Sequence, residues 1–169
     1  MKISDIKIAI ARKKLLNSHS SEEGEGRKLG VIIDSEDTGI YNAFLQLKEV
    51  LRLKQQDFLL IFCTEKPLKN DNFDAPVIGR KDFGWNGKAG ETASAFLDAN
   101  YDVLISFTSE ENKMADFLVS VSRARLKIGR KTEDKKGIFD LNISAALSSP
   151  EIFVIEVKKY LKIFNNTTA

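Results

Sequence analysis

Hydrophobic positions follow two rhythms along the chain: short unbroken apolar runs, and longer stretches with an apolar residue every three or four places. LGVIID at 29–34 and DFLLIFC at 57–63 are of the first kind, the form of parallel strands buried on both faces. Between them Ile40, Phe44, Leu47 and Leu51 recur at i, i+4, i+7 and i+11, which predicts a helix over 38–55 with one core face. Strand, helix and strand in this order form a right-handed βαβ unit.

The rhythm then repeats. APVIG at 75–79 predicts a short third strand, KAGETASAFLDAN a helix with Ala93, Phe96 and Leu97 inward, and YDVLISF at 101–107 a fourth strand. Thr108 with Glu111 three residues later predicts a capping box, and Met114, Phe117, Leu118 and Val121 the buried face of the helix it opens. LKIGR at 126–130 is the fifth strand. Only Lys131 and the polar loop TEDKKG separate it from IFDLNIS at 138–144, too little for a crossover helix, so the sixth strand is expected to return antiparallel. Its Phe139, Leu141 and Ile143 alternate with Asp140, Asn142 and Ser144, the pattern of an edge strand with one wet face. A last helix starts at Ser149, with Pro150 where a missing amide costs nothing and Phe153, Val157, Tyr160 and Phe164 as its stripe.

These elements predict a three-layer α/β/α Rossmann-like sandwich over 29–169. Its mostly parallel sheet has order 3-2-1-4-5, with the flavodoxin order 2-1-3-4-5 as the alternative, and an antiparallel sixth edge strand. Residues 1–28 stand in front of it. Ile3, Ile6, Ile10 and Leu16 lie on one side of a predicted helix over 2–16 and Lys7, Arg12 and Lys14 largely on the other. Such a helix packs on its own domain or on a second copy, giving a homo-dimer; a polar linker at 17–28 joins it to the first strand.

Composition narrows the chemistry. A chain of 169 residues, 43% hydrophobic, suits one domain that needs no disulfide or metal to hold its core. Lys plus Arg total 26 against 24 for Asp plus Glu, a net charge of +2 that marks neither a nucleic-acid binder nor a polybasic membrane binder. Arg123, Arg125, Lys127, Arg130 and Lys131 cluster around the fifth strand, with Lys135 and Lys136 beyond, but no aromatic residues are interleaved for base stacking. The only cysteine, Cys63, closes a buried strand and the only histidine, His19, lies in a polar connector, which argues against a Cys-His pair or a zinc site. With no apolar run of membrane length and an N-terminus that interleaves charge with Ile, the chain reads as cytoplasmic.

A ligand of such a sheet sits beyond the strand carboxyl ends, where the winding direction reverses. The loops there are DSEDTG at 34–39 and the stretch at 106–111, and neither has the G-x-G-x-x-G pattern of a dinucleotide site, so no cofactor is implied. Their acids point two ways. Asp34, Asp37 and Glu110 or Glu111 suit a divalent cation, or a phosphoacceptor of the response-regulator kind, because hard cations prefer carboxylate oxygens. The same acids also suit the capping of two helix N-termini. Asp34, Asp37, Thr38, Ser106, Thr108 and Glu110 are the candidate contacts from these loops, and Lys81, Trp85 and Lys88 from the loop after the third strand complete the set.

That last loop, KDFGWNGKAG at 81–90, holds a DFG triplet and a G-K pair. The H-R-D and V-A-I-K elements of a kinase are missing, and the Walker spacing fails because Gly84 precedes Gly87 by three and Ala89 follows Lys88. Phe83 and Trp85 there either plug the end of a core or form an exposed platform on which a sugar or partner stacks.

The succession KDFGW-x-GK, YDVLIS and SRARLKIGR resembles an uncharacterised family of small cytoplasmic proteins from Bacteroidetes. More distantly, YDVLIS, a helix and LKIGR are similar to the acceptor-side domain of heptosyltransferase-like GT-B glycosyltransferases. Those enzymes need two Rossmann-like domains, so the resemblance implies a lone half that cannot transfer a sugar unaided. Two function classes follow: a non-catalytic module binding a small molecule or protein, and an enzyme in which the acids at 34–37 and 108–111 work with Lys81 or Lys88.

Overall fold

The computed structural model describes residues 28–66, 68–69, 73–84, 89–130, 134 and 137–168, with side chains to Leu161 in the last helix. The helix predicted over 2–16, and the self-association expected of it, lie outside the described residues. Six strands, β1 (Leu29–Ile33), β2 (Phe58–Cys63), β3 (Val77–Ile78), β4 (Val103–Phe107), β5 (Leu126–Gly129) and β6 (Leu141–Asn142), form one sheet of order β3-β2-β1-β4-β5-β6. Its neighbours all pair in parallel. The expected order of the first five strands, 3-2-1-4-5, is the observed one rather than the alternative 2-1-3-4-5.

Among the described residues four α-helices cover the sheet: α1 (Thr38–Val50), α2 (Glu91–Asp98), α3 (Lys113–Val121) and α4 (Pro150–Thr168). Strand alternation divides the core. Val31, Ile33, Phe62, Ile105, Phe107 and Ile128 pack with Phe44 and Leu47 of α1 and Phe153 and Val157 of α4. Ile32, Ile61, Cys63 and Leu104 face the other way, against Ala93 and Phe96 of α2 and Ala115, Leu118 and Val119 of α3. Phe44, Phe107 and Phe153 meet at centroid separations of 4.9–6.2 Å, which locks α1 to α4 over the sheet centre. The crossover from β1 steps toward one edge and that from β4 toward the other, so the winding reverses between these two strands.

The sixth strand corrects the expectation. It runs parallel to β5, with Ile128↔Leu141 and Gly129↔Asn142 in register. A crossover helix is needed only when the chain must regain a whole strand length, whereas this pairing covers two residues and asks for a return of roughly 7 Å. Asp134 organises that return: its carboxylate accepts the amides of Ile138 and Phe139, and Gly137, at φ +61°, donates to its carbonyl. Asp140 then donates its amide to the Lys127 carbonyl and accepts the Lys127 amide at 2.7 Å. A bend at Asp140 breaks the expected alternation, so Leu141 and Ile143 join the α1/α4 side while Phe139 packs on the α2/α3 side.

Two helices also differ from their sequence pattern. The stretch 38–55 is helical only to Val50, where a Schellman motif ends it: Arg52 donates to Glu49 and Leu53 to Lys48, with Arg52 at φ 54°. Helix α3 begins at Lys113 rather than after Thr108, and Asn112 is its cap, accepting the Ala115 amide at 3.0 Å. The capping box from Thr108 to Glu111 is therefore not formed. Phe117 and Val121, expected on the buried face of α3, are exposed, and Ala115, Leu118 and Val119 are buried.

Candidate functional site

Asp34 is the first residue beyond β1, and the register Ile33↔Phe107 sets it beside Thr108 at the reversal point of the sheet. One carboxylate oxygen, Oδ2, takes three donors: the Ser109 amide at 2.8 Å, the Ser109 hydroxyl at 3.0 Å and Asn112 Nδ2 at 3.0 Å. Asn112 Nδ2 also donates to the Cys63 carbonyl at 3.0 Å, while its Oδ1 caps α3. One amide side chain thus ties together the ends of β1 and β2 and the first turn of α3. Charge-assisted hydrogen bonds of this kind are stronger than neutral ones and hold the rim rigid.

Of the two expectations for these acids, a cation site and helix capping, Asp37 fulfils the second. Asp37 accepts the Gly39 amide at 2.8 Å as the cap of α1, and its own amide donates to Ser35 Oγ. Asp37 and Thr38, at the start of α1, and Glu110 and Glu111, in the turn before α3, are exposed. Among the described residues no group of three His, Cys, Asp or Glu side chains is arranged to hold a metal ion. Ser106 and Thr108 are buried, their hydroxyls 3.1 Å apart. Thr108 turns its carbonyl to Arg130 Nη1 at 2.8 Å, and Arg130 Nε donates to the Ala145 carbonyl at 2.9 Å. Arg130 therefore belongs to the rim, joining the loops after β4 and β6, while Arg125 stands 3.8 Å from Asp102.

Cys63 ends β2 beneath this rim. Burial, aided by the negative charge of Asp34 and then of Glu65, Asp116 and Asp82, pushes its thiol up to about 12. A thiol so held stays protonated and is a poor nucleophile at neutral pH.

Lys81 lies in a single 3-10 turn, Arg80–Asp82, and is exposed. Asp82, the acid of the DFG triplet, has a structural task here: Oδ2 accepts the Gly79 amide at 2.7 Å, and its carbonyl accepts the Gly90 amide at 2.6 Å. Phe83 and Ala89 pair as an antiparallel bridge, closing the loop at its base. Trp85 and Lys88 fall between them and lie outside the described residues. Phe83 packs edge-on against Phe117 of α3, centroids 5.4 Å apart, so the first of the two aromatics braces the loop on a helix.

The structure brings Asp34 and Thr108 together with Ser109 and Asn112, and keeps Lys81 apart beyond β3. Ser109, Asn112, Asp82 and Arg130 were missed as site-forming residues. Asn112 carried a signal, since Asn directly before the apolar pattern KMADFLVSV is a favoured helix cap.

Among curated proteins and among solved structures nothing matches the chain. Among the described residues no helix is long and apolar enough to cross a membrane. A family model matches residues 6–164, nearly the whole chain, and the protein belongs to that family, described as a family of unknown function (DUF6913).

Proposed function

We propose that the chain is a non-catalytic binding module that offers a small molecule or protein partner the carboxyl edge of its sheet. The observation that carries this reading is the engagement of Asp34 by Ser109 and Asn112. A carboxylate holding three donors braces two loops, and the Cys63 thiol below it is held protonated, so the rim has the character of a preformed surface. Asp37, Thr38 and Glu110 are exposed beside the brace and Lys81 is exposed farther along the same carboxyl edge, beyond β3; Ser106 and Thr108 support the brace from beneath, and Trp85 and Lys88 belong to the loop closed by Phe83 and Ala89. A cytoplasmic location and a bacterial, Bacteroidetes-type source belong to the same proposal, resting on the KDFGW-x-GK resemblance. A second reading, a lone acceptor-type half related to GT-B glycosyltransferases, draws support from the doubly wound parallel sheet, a fold that by itself is a weak warrant for activity.

Removing the brace tests the non-catalytic reading. Asp34→Ala should lower the melting temperature, and millimolar magnesium should leave wild type and variant unchanged. A rise in melting temperature on losing the carboxylate, or magnesium stabilisation of wild type alone, would show an active or metal site instead. Binding at the rim is read with a panel of nucleotides, nucleotide sugars and amino acids: a member that stabilises wild type, is recovered unmodified and loses its effect in Lys81→Ala identifies the ligand class. Conversion of any member by wild type but not by Asp34→Ala overturns the proposal.

A further inference from the structure

Helices α2 and α3 lie on the same face of the sheet, where Ala93 and Phe96 share a core with Ala115, Leu118 and Val119. Parallel strands lead into both, so the two run in the same direction and end, at Asp98 and Val121, toward the amino edge. Outward, α2 shows Glu91, Ala95 and Asp98, and α3 shows Phe117 and Val121, each 44% exposed. Phe83, in the loop leading into α2, meets Phe117 edge-on, so the Phe117 ring stands on the α2 side of its helix. An apolar strip thus runs beside an acidic one.

The chain itself supplies an occupant, because it enters β1 beside the end of α3. Lys28 donates its amide to Asp102 Oδ2 at 2.8 Å, and Arg125, just past α3, donates its amide to the Tyr101 carbonyl and stands 3.8 Å from Asp102. What precedes Lys28 therefore starts at the foot of this face. Residues 17–27 can reach up to about 36 Å, against about 14 Å for the whole of α3. The family match begins at residue 6, so this stretch is part of the unit the family shares.

Charge then separates the two faces of the sheet. Helices α2 and α3 carry Glu91, Asp98 and Asp116 against Lys113, a net charge of −2. On the opposite face Lys48 balances Glu49 in α1, and Lys158 and Lys159 balance Glu151 and Glu156 in α4, so the exposed Val50, Ile152 and Ile155 have no charge beside them to draw a basic segment. The helix predicted over 2–16 is such a segment: Lys2, Lys7, Arg12, Lys13 and Lys14 stand against Asp5, with Ile3, Ile6 and Ile10 as its apolar stripe. Behind it Glu22, Glu23 and Glu25 come just before Lys28, within reach of Arg123 and Arg125.

We infer that residues 2–16 dock on their own domain along α2 and α3, with Ile3, Ile6 and Ile10 on Phe117 and Val121 and the basic side chains toward Glu91 and Asp98. This docking is independent of the rim and leaves the carboxyl edge of the sheet free.

The test is zero-length carbodiimide cross-linking of the full chain, in an equal mixture of unlabelled and isotope-labelled protein, read by mass spectrometry. Lys2, Lys7, Lys13 or Lys14 should join Glu91 or Asp98, and both halves of each linked peptide should carry the same label. Ile6→Glu and Val121→Glu should each cut that yield about tenfold while circular dichroism shows the chain folded. Val121→Glu is chosen over Phe117→Glu because it spares the Phe83 contact. Trypsin should cut at Lys7 to Lys14 about tenfold faster in both variants than in wild type. Links of mixed labelling would put the segment on a second copy, and links to Glu49, Glu151 or Glu156 would put it on the other face; either overturns the inference. A lack of links, or cleavage that neither variant speeds, overturns it equally.

Discussion

The carboxylate of Asp34 accepts the backbone amide of Ser109 at 2.8 Å, joining the end of β1 to the turn after β4 across the reversal point of the sheet. These residues are 75 apart in sequence, and their contact converts what would be an open crevice into a fastened seam. Asn112 is the second half of that fastening, since it serves Asp34, the Cys63 carbonyl and the start of α3 at once.

Asn112→Ala should accordingly cost about 2 kcal/mol in urea unfolding, through loss of a cap and of two donors to partly buried acceptors. Ser109→Ala keeps the amide contact and should cost about 0.5–1 kcal/mol. In a double-mutant cycle with Asp34→Ala, Asn112→Ala should show coupling of about 1 kcal/mol; additivity would mean that the two side chains do not act together.

Arg52 occupies the left-handed position of the Schellman motif that ends α1, at φ 54°. A side chain there is disfavoured, whereas glycine is not. Arg52→Gly should raise stability by about 0.5–1 kcal/mol, seen as a higher urea midpoint at unchanged slope.

Gly129 lets the Phe139 ring lie on β5: a Cβ there would stand 2.6 Å from the ring. Gly129→Ala should destabilise by about 1–3 kcal/mol, and Phe139→Leu in the same chain should recover part of that loss. Equal stability of Gly129→Ala and wild type would mean that the return to β6 does not depend on this close approach.

Cys63 sets an alkaline limit. Its folded value of about 12 lies above the ordinary 9.0, so the stability it contributes is complete below about pH 9 and is lost as pH rises toward 12. Cys63→Ala should flatten the fall in stability across that window. Tyr101, whose phenol burial also pushes upward, contributes equally to both chains. At pH 8 the native thiol should react with Ellman's reagent far more slowly than the urea-unfolded one; equal rates would contradict its burial.

Much of this fold was legible in the residues themselves. LGVII and FLLIFC have the unbroken apolar form of doubly buried strands, and right-handed crossovers between such runs narrow the first five strands to a few orders, of which the folded sheet shows β3-β2-β1-β4-β5. The direction of β6 was not legible. It depends on how little of β5 it pairs with and on Asp134, Asp140 and the bare Gly129, contacts that exist only once the sheet is assembled.

The rim divides in the same way. Asp37 as a cap follows from its place before Thr38 and Gly39, since capping is a local hydrogen bond over two residues. Thr108 satisfied the same local rule and was nonetheless drawn into a buried pair with Ser106, because Asp34 holds the next amide and delays the helix to Asn112. Short-range chemistry was determined by the sequence alone where, as at Asp37, no distant group competes for it. The roles of Asp34, Asn112 and Arg130 were decided by tertiary structure, since their partners come from strands and loops that only the folded sheet brings within hydrogen-bond reach.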